Sequence, residues 1–218
     1  MSPSIIVTLI LLGIWGIFKI LEKKQRSEPD RLLERLNDTQ SFSYSLMIIL
    51  VKPTTEIKTS LEKLFETSGY LIEESKNKKN SFHNWNDEIY FDTKHLNKGI
   101  IELTDSVVLN DPESIIITDR EKIKQLSKDL NCKILVSIWE RVSRTVMFDV
   151  YDNGALVSTT SVTDGKADKD NINPDVDLIK RADSEQLKIA LTGNGLNTEE
   201  LFNNYDLPIT EYHLRDNP

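Results

Sequence analysis

Between Lys133 and Val162 the chain runs KILVSIWE, TVMFDVY and ALVSTTSV with little between them, and no other stretch restricts the fold as tightly. Each run is rich in β-branched and aromatic residues, which fit a pleated, half-buried surface. In the second run Val146, Phe148 and Val150 share one strand face and Met147, Asp149 and Tyr151 the other. That pattern belongs to a sheet with one covered face and one partly wet face. Asp152-Asn153-Gly154 suits a three-residue hairpin loop, with Gly154 supplying the positive φ. The other link, Arg141-Val142-Ser143-Arg144, lacks Gly, Pro, Asn and Asp, so a bulge and a continuous bent strand both stay open.

Residues 41–218 are expected to form one α+β domain, a mainly antiparallel sheet of six to eight strands with helices covering one face. SYSLMIILV, residues 43–51, is bounded by Pro53 and reads as a buried strand. Thr54 or Thr55 then caps a helix with Ile57, Leu61, Leu64 and Phe65 on one stripe and Gly69 just past its end. Tyr70–Glu73 returns as a short strand, and the lysine-rich KNKKNSFHN, 76–84, reads as a solvated turn. Trp85–Phe91, Gly99–Leu109 and Ser114–Ile117 read as further strands. Thr118 is expected to cap a helix with Glu121 completing a capping box and Ile123, Leu126 and Leu130 as its stripe. Ser184–Leu191 and Thr198–Tyr205 read as short helices, the second capped by Asn197, with a turn at 193–195.

Ahead of this domain lies IIVTLILLGIWGIFKIL, residues 5–21. Seventeen helical residues reach about 25 Å, close to the ~30 Å hydrocarbon core of a bilayer. The expectation is therefore a fold with a single N-terminal transmembrane helix: a transmembrane anchor at 1–22, a juxtamembrane linker or helix at 23–40, then the soluble domain. A signal peptide is disfavoured because MSPS carries no basic side chain and no small-residue cleavage pattern follows the apolar run. Lys19, Lys23, Lys24, Arg26, Arg31 and Arg35 all follow the core, which predicts a cytoplasmic C-terminal domain, with the exported side as the alternative.

Charge narrows the partners. The chain carries 27 basic and 35 acidic residues, a net charge of −8. Such a surface repels phosphate backbones, so no nucleic-acid partner is expected, while a basic protein partner is permitted. Cys132 is the lone cysteine and has no internal disulfide partner, as in a reducing compartment. His83, His95 and His213 are far apart, and none stands at zinc-ligand spacing. Thr163–Asp177 holds aspartates at 164, 168, 170, 175 and 177. An EF-hand counted from Asp168 would place Ile172, Asn173 and Ile179 where an oxygen ligand, glycine and glutamate are required. There is no G-x-S-x-G, Walker loop or H-E-x-x-H. No catalytic, cofactor-binding or metal residue is assigned, and no cofactor is expected.

Between residues 113 and 165, a helix ends in Gln125-Leu126-Ser127 and is followed by a strand and a hairpin carrying Tyr151-Asp152-Asn153-Gly154. This order resembles compact α+β domains among uncharacterised bacterial proteins, some of them immunity-type proteins that neutralise contact-delivered toxins. The resemblance implies a binding protein and carries over no site residue. The expected function is a membrane-anchored, non-catalytic protein-interaction domain of immunity or accessory type. The alternatives are a membrane-tethered, hydrolase-like enzyme whose site is dispersed in sequence, and a structural subunit of a membrane complex. Oligomeric state is left open.

Overall fold

Strand β1 (Tyr44–Ile49) is buried at every position and lies in the middle of the nine strands that the described residues pair into one sheet. The structure is a computed structural model and describes residues 43–90, 96–140 and 142–216. After β1 come α1 (Thr55–Thr67), β2 (Tyr70–Asn80), α2 (Phe82–Tyr90), β3 (Leu96–Glu102) and β4 (Val107–Asn110). Next are α3 (Arg120–Asp129), β5 (Lys133–Glu140), β6 (Thr145–Asp152), β7 (Ala155–Thr163) and the two-residue β8 (Lys166–Ala167). Helices α4 (Val176–Lys180), α5 (Ser184–Gly193) and α6 (Thr198–Asn203) lead to β9 (Leu207–Asp216). The strand order is β2-β9-β3-β4-β1-β5-β6-β7-β8, with every neighbouring pair antiparallel.

Period-2 alternation sends the side chains of β1 into two separate cores. Leu46 and Ile48 join Trp85 of α2, Leu178 of α4, Leu187 and Leu191 of α5 and Phe202 of α6. Met47 and Ile49 join Leu61 and Phe65 of α1, Ile123 and Leu126 of α3, and Tyr212 of β9. A strand buried on both faces is apolar throughout, which is why SLMIIL shows no alternation. Thr54 starts α1 by accepting from Ile57 N, and Gly69 leaves it at φ +89°.

Several expectations are corrected. Helices cover both faces of the sheet, and among the described residues its strands number nine, not six to eight. The expected fold class, with its transmembrane helix, is corrected as well: among the described residues no helix is long and apolar enough to cross a membrane. The apolar stretch 5–21 and the linker 23–40 lie outside the described residues. The lysine-rich segment is the second half of β2, paired with β9 up to Asn80–Leu207. Residues 82–90 are a helix, because Phe82 and Trp85 at i, i+3 both turn into the core and Ser81 Oγ accepts from Asn84 N at 3.2 Å. Residues 99–109 break into β3 and β4 around a turn closed by Leu103 N to Ser106 O at 2.9 Å. Residues 114–117 are turns, not a strand, and Asp119 rather than Thr118 caps α3.

The hairpin between β6 and β7 is tighter than expected. Asp152 pairs with Ala155, so the loop has two residues, and both Asn153 (φ +48°) and Gly154 (φ +83°) take the left-handed conformations of a type I′ turn. Ser127 at the end of α3 holds this turn in place, accepting from Gly154 N at 3.2 Å while donating to Cys132 O at 2.7 Å.

Candidate functional site

Three polar clusters lie within or along the sheet, and one surface looks outward. The first is built on β9. Glu211 sits opposite Gly99 of β3 and Lys76 of β2, and its carboxylate points under α2. Its Oε2 accepts from Trp85 Nε1 at 2.8 Å and meets Lys78 Nζ at 2.6 Å; its Oε1 lies 3.1 Å from His213 Nε2. Burial pushes this carboxyl up, but the bonds from Lys78 and Trp85 outweigh it and hold Glu211 below the usual carboxylate range. Glu211 is thus a fixed anion that brackets β2, α2 and β9 together.

On the opposite face Lys98 of β3 is fully buried. Its Nζ is 2.5 Å from Asp111 Oδ1, an ion pair by distance though off the angle of a hydrogen bond, and it also contacts Glu113. Burial alone would favour neutral lysine. Attraction to both carboxylates, that of Asp111 above all, reverses this, and Lys98 titrates above its ordinary value. Asp111 Oδ2 accepts from Ile116 N at 2.7 Å and Ile117 N at 3.1 Å, so one carboxylate anchors both the lysine and the 111–117 turns. A lysine held charged in this way is a brace, not a nucleophile.

The third cluster surrounds Asp149 of β6, which is 1 % exposed. Arg120 Nε donates to it at 3.2 Å and Tyr151 Oη at 3.3 Å, while Thr159 of β7 donates to its other oxygen. Arg120 opens α3, so the ion pair docks that helix onto β6 and β7.

The outward surface lies at the far end of the sheet. Residues 166–173 fold back along the outer edge of β7 and satisfy its backbone. Asp168 N donates to Ser161 O at 2.8 Å, Ile172 and Thr159 exchange two backbone bonds, and Asn173 Nδ2 reaches Val157 O at 3.2 Å. This strap brings Ile172 and the start of α4 beside β7, leaving Val157 41 %, Ile172 45 % and Val176 57 % exposed. Asp164, Asp168, Asp170 and Asp177 of the same stretch are all exposed, and Asp175 caps α4. The five aspartates of 164–177 outnumber Lys166 and Lys169.

The histidines do not converge. His83 packs against the Phe82 and Phe202 rings, His213 joins Glu211, and His95 lies outside the described residues. Among the described residues no group of three His, Cys, Asp or Glu is arranged to hold a metal ion. Cys132 is buried, and burial together with the Asp152 charge pushes its thiol up to about 11. Sequence reading missed the role of Glu211 because its strand was not foreseen. The aspartates of 164–177 were visible in sequence, but the apolar side chains among them were not recognised as a surface. Comparison with known proteins finds no matching family model, no matching curated protein and no matching solved structure.

Proposed function

We propose that this domain is a non-catalytic protein-binding module, of immunity or accessory type, that receives a basic partner on the surface formed by the 166–173 strap, α4 and β7. The observations that carry this reading are the exposure of Val157 on β7, Ile172 on the strap and Val176 at the start of α4, and the five aspartates of the same stretch. Exposed apolar side chains supply contact area, and a rim of one charge sign steers a partner of the opposite sign. The interior charges support the same reading, because Lys98, Glu211 and Asp149 are each engaged with structural partners. The cytoplasm is the proposed compartment, in keeping with a reduced, buried Cys132.

The immobilised full chain should capture a basic protein from extracts of its own cells, with retention falling as salt rises. Reproducible recovery of a partner that is acidic, or of none, would sink the proposal. One observation favours a catalytic reading instead: the 3.1 Å contact of His213 with an anchored Glu211 has the form of a carboxylate-oriented base. That reading requires a turnover lost in His213→Gln. A His213→Gln chain that keeps full partner binding and function excludes it.

A further inference from the structure

The two ends of the sheet are finished differently. The β7 end is closed by the 166–173 strap, whose backbone and asparagine side chains take up the edge. At the other end β2 is the last strand among the described residues, and it is eleven residues long. Its side chains from Glu73 to Asn77 are all exposed, a run centred on Ser75. An edge strand of this length is a template for pairing, and a lone lysine on such an edge usually keeps other strands away.

Here Lys76 is matched, and Lys78 and Lys79, the other lysines of β2, are held within the chain by Glu211 and Asp206. Two antiparallel copies of β2 related by a twofold axis at Ser75 place Glu74 of each opposite Lys76 of the other. Residues directly opposed in an antiparallel pair point to the same sheet face, so both Glu–Lys pairs form on one side. Lys76 Nζ already lies 2.9 Å from Glu74 Oε2 within one chain, with both half exposed, so the second copy completes a ring of four alternating charges. The irregularity in the β2–β9 ladder between Ile72 and Glu74 limits the regular pairing to about the five exposed residues. A short interface of this kind gives a weak, reversible dimer.

We infer that β2 is a self-association edge, and that a second copy of this chain pairs with it antiparallel about Ser75. The inference is independent of the basic partner proposed for the opposite end of the sheet. A dimer formed through β2 leaves that acidic surface free on both copies.

The register is tested by cysteine cross-linking in the full chain, dispersed in mild detergent and oxidised with diamide. Opposed antiparallel residues have Cα atoms about 4.5–5.5 Å apart, within the disulfide range. Ser75→Cys should therefore give a covalent dimer on a non-reducing gel. Lys79→Cys, whose copies would be roughly 26 Å apart at ~3.3 Å per residue, should not. Adding Glu74→Lys to Ser75→Cys should cut the dimer yield severalfold, and adding Lys76→Glu as well should restore it. Absence of a Ser75→Cys dimer, equal cross-linking at position 79, or a yield indifferent to the charge reversal would each overturn the inference. Because Cys132 is buried, the parent chain supplies the background.

Discussion

The indole of Trp85 occupies the space that a side chain at position 99 would need, and Gly99 leaves it open. Trp85 comes from α2 and Gly99 from β3, so the pair sets how closely the helix approaches the sheet. A Cβ at position 99 would be built into the indole, and the ring is fully buried with its Nε1 tied to Glu211. Gly99→Ala should destabilise the domain by about 3 kcal/mol, the upper range for overpacking. Urea unfolding measures it, and a loss below about 1 kcal/mol would show that α2 can move away at little cost.

Lys98 and Asp111 should behave as a unit. Lys98→Met leaves a fully buried carboxylate without its counter-charge and should cost about 3–5 kcal/mol. Lys98→Met with Asp111→Asn should recover much of that, since the amide oxygen introduced at position 111 still accepts from the 116–117 backbone N–H groups. Because the Lys98 value is raised on folding, its contribution is fully present below the ordinary lysine pKa and is lost as pH rises through the higher folded value. Wild-type stability should therefore fall at strongly alkaline pH more steeply than that of the double variant. Parallel curves would contradict the pairing.

Glu211 works in the opposite window. Its folded pKa is depressed, so its contribution is present above the unfolded glutamate value and is lost as pH falls through the folded one. Glu211→Gln should flatten the acid limb of the stability–pH curve while lowering stability at neutral pH. An unchanged acid limb would mean that other carboxylates govern acid unfolding.

The Cys132 thiol should be silent in the folded domain. With a pKa of about 11 and a buried sulfur, it should resist a disulfide reagent at mildly alkaline pH and react at once in urea. Rapid labelling of the native chain would show that the α3–β5 connection opens readily.

What could be read from the sequence was local. The strands of 133–163 were legible because hairpin partners are neighbours in the chain and carry their own turn residues. The register of β1 is not legible in sequence, since a strand buried on both faces has no period to read. Strand β9 was not foreseen, because Pro208, Glu211 and His213 interrupt its apolar alternation. Its pairing with β3 begins at Ile209, so Pro208 forfeits no bond on that side. Helix α2 reads as a strand in sequence because its aromatics outweigh the Phe82/Trp85 spacing. The polar clusters were illegible for a different reason: Lys98 finds Asp111 across a β-turn-β connection, and Trp85 finds Glu211 126 positions away. At the acidic surface the aspartates could be seen in sequence. Ile172 comes beside β7 only when the strap folds along it.

The most direct measurement compares partner capture by three full-length chains. Asp168→Lys with Asp170→Lys reverses charge on the strap. Glu66→Lys with Glu102→Lys makes the same net change elsewhere, at exposed positions on α1 and β3. If the strap and β7 form the binding surface, the first pair should weaken capture of the basic partner at least tenfold, about 1.4 kcal/mol, while the second leaves it within twofold of wild type. Equal losses in both variants would show that only net charge matters, and undiminished capture by the strap variant would contradict the account.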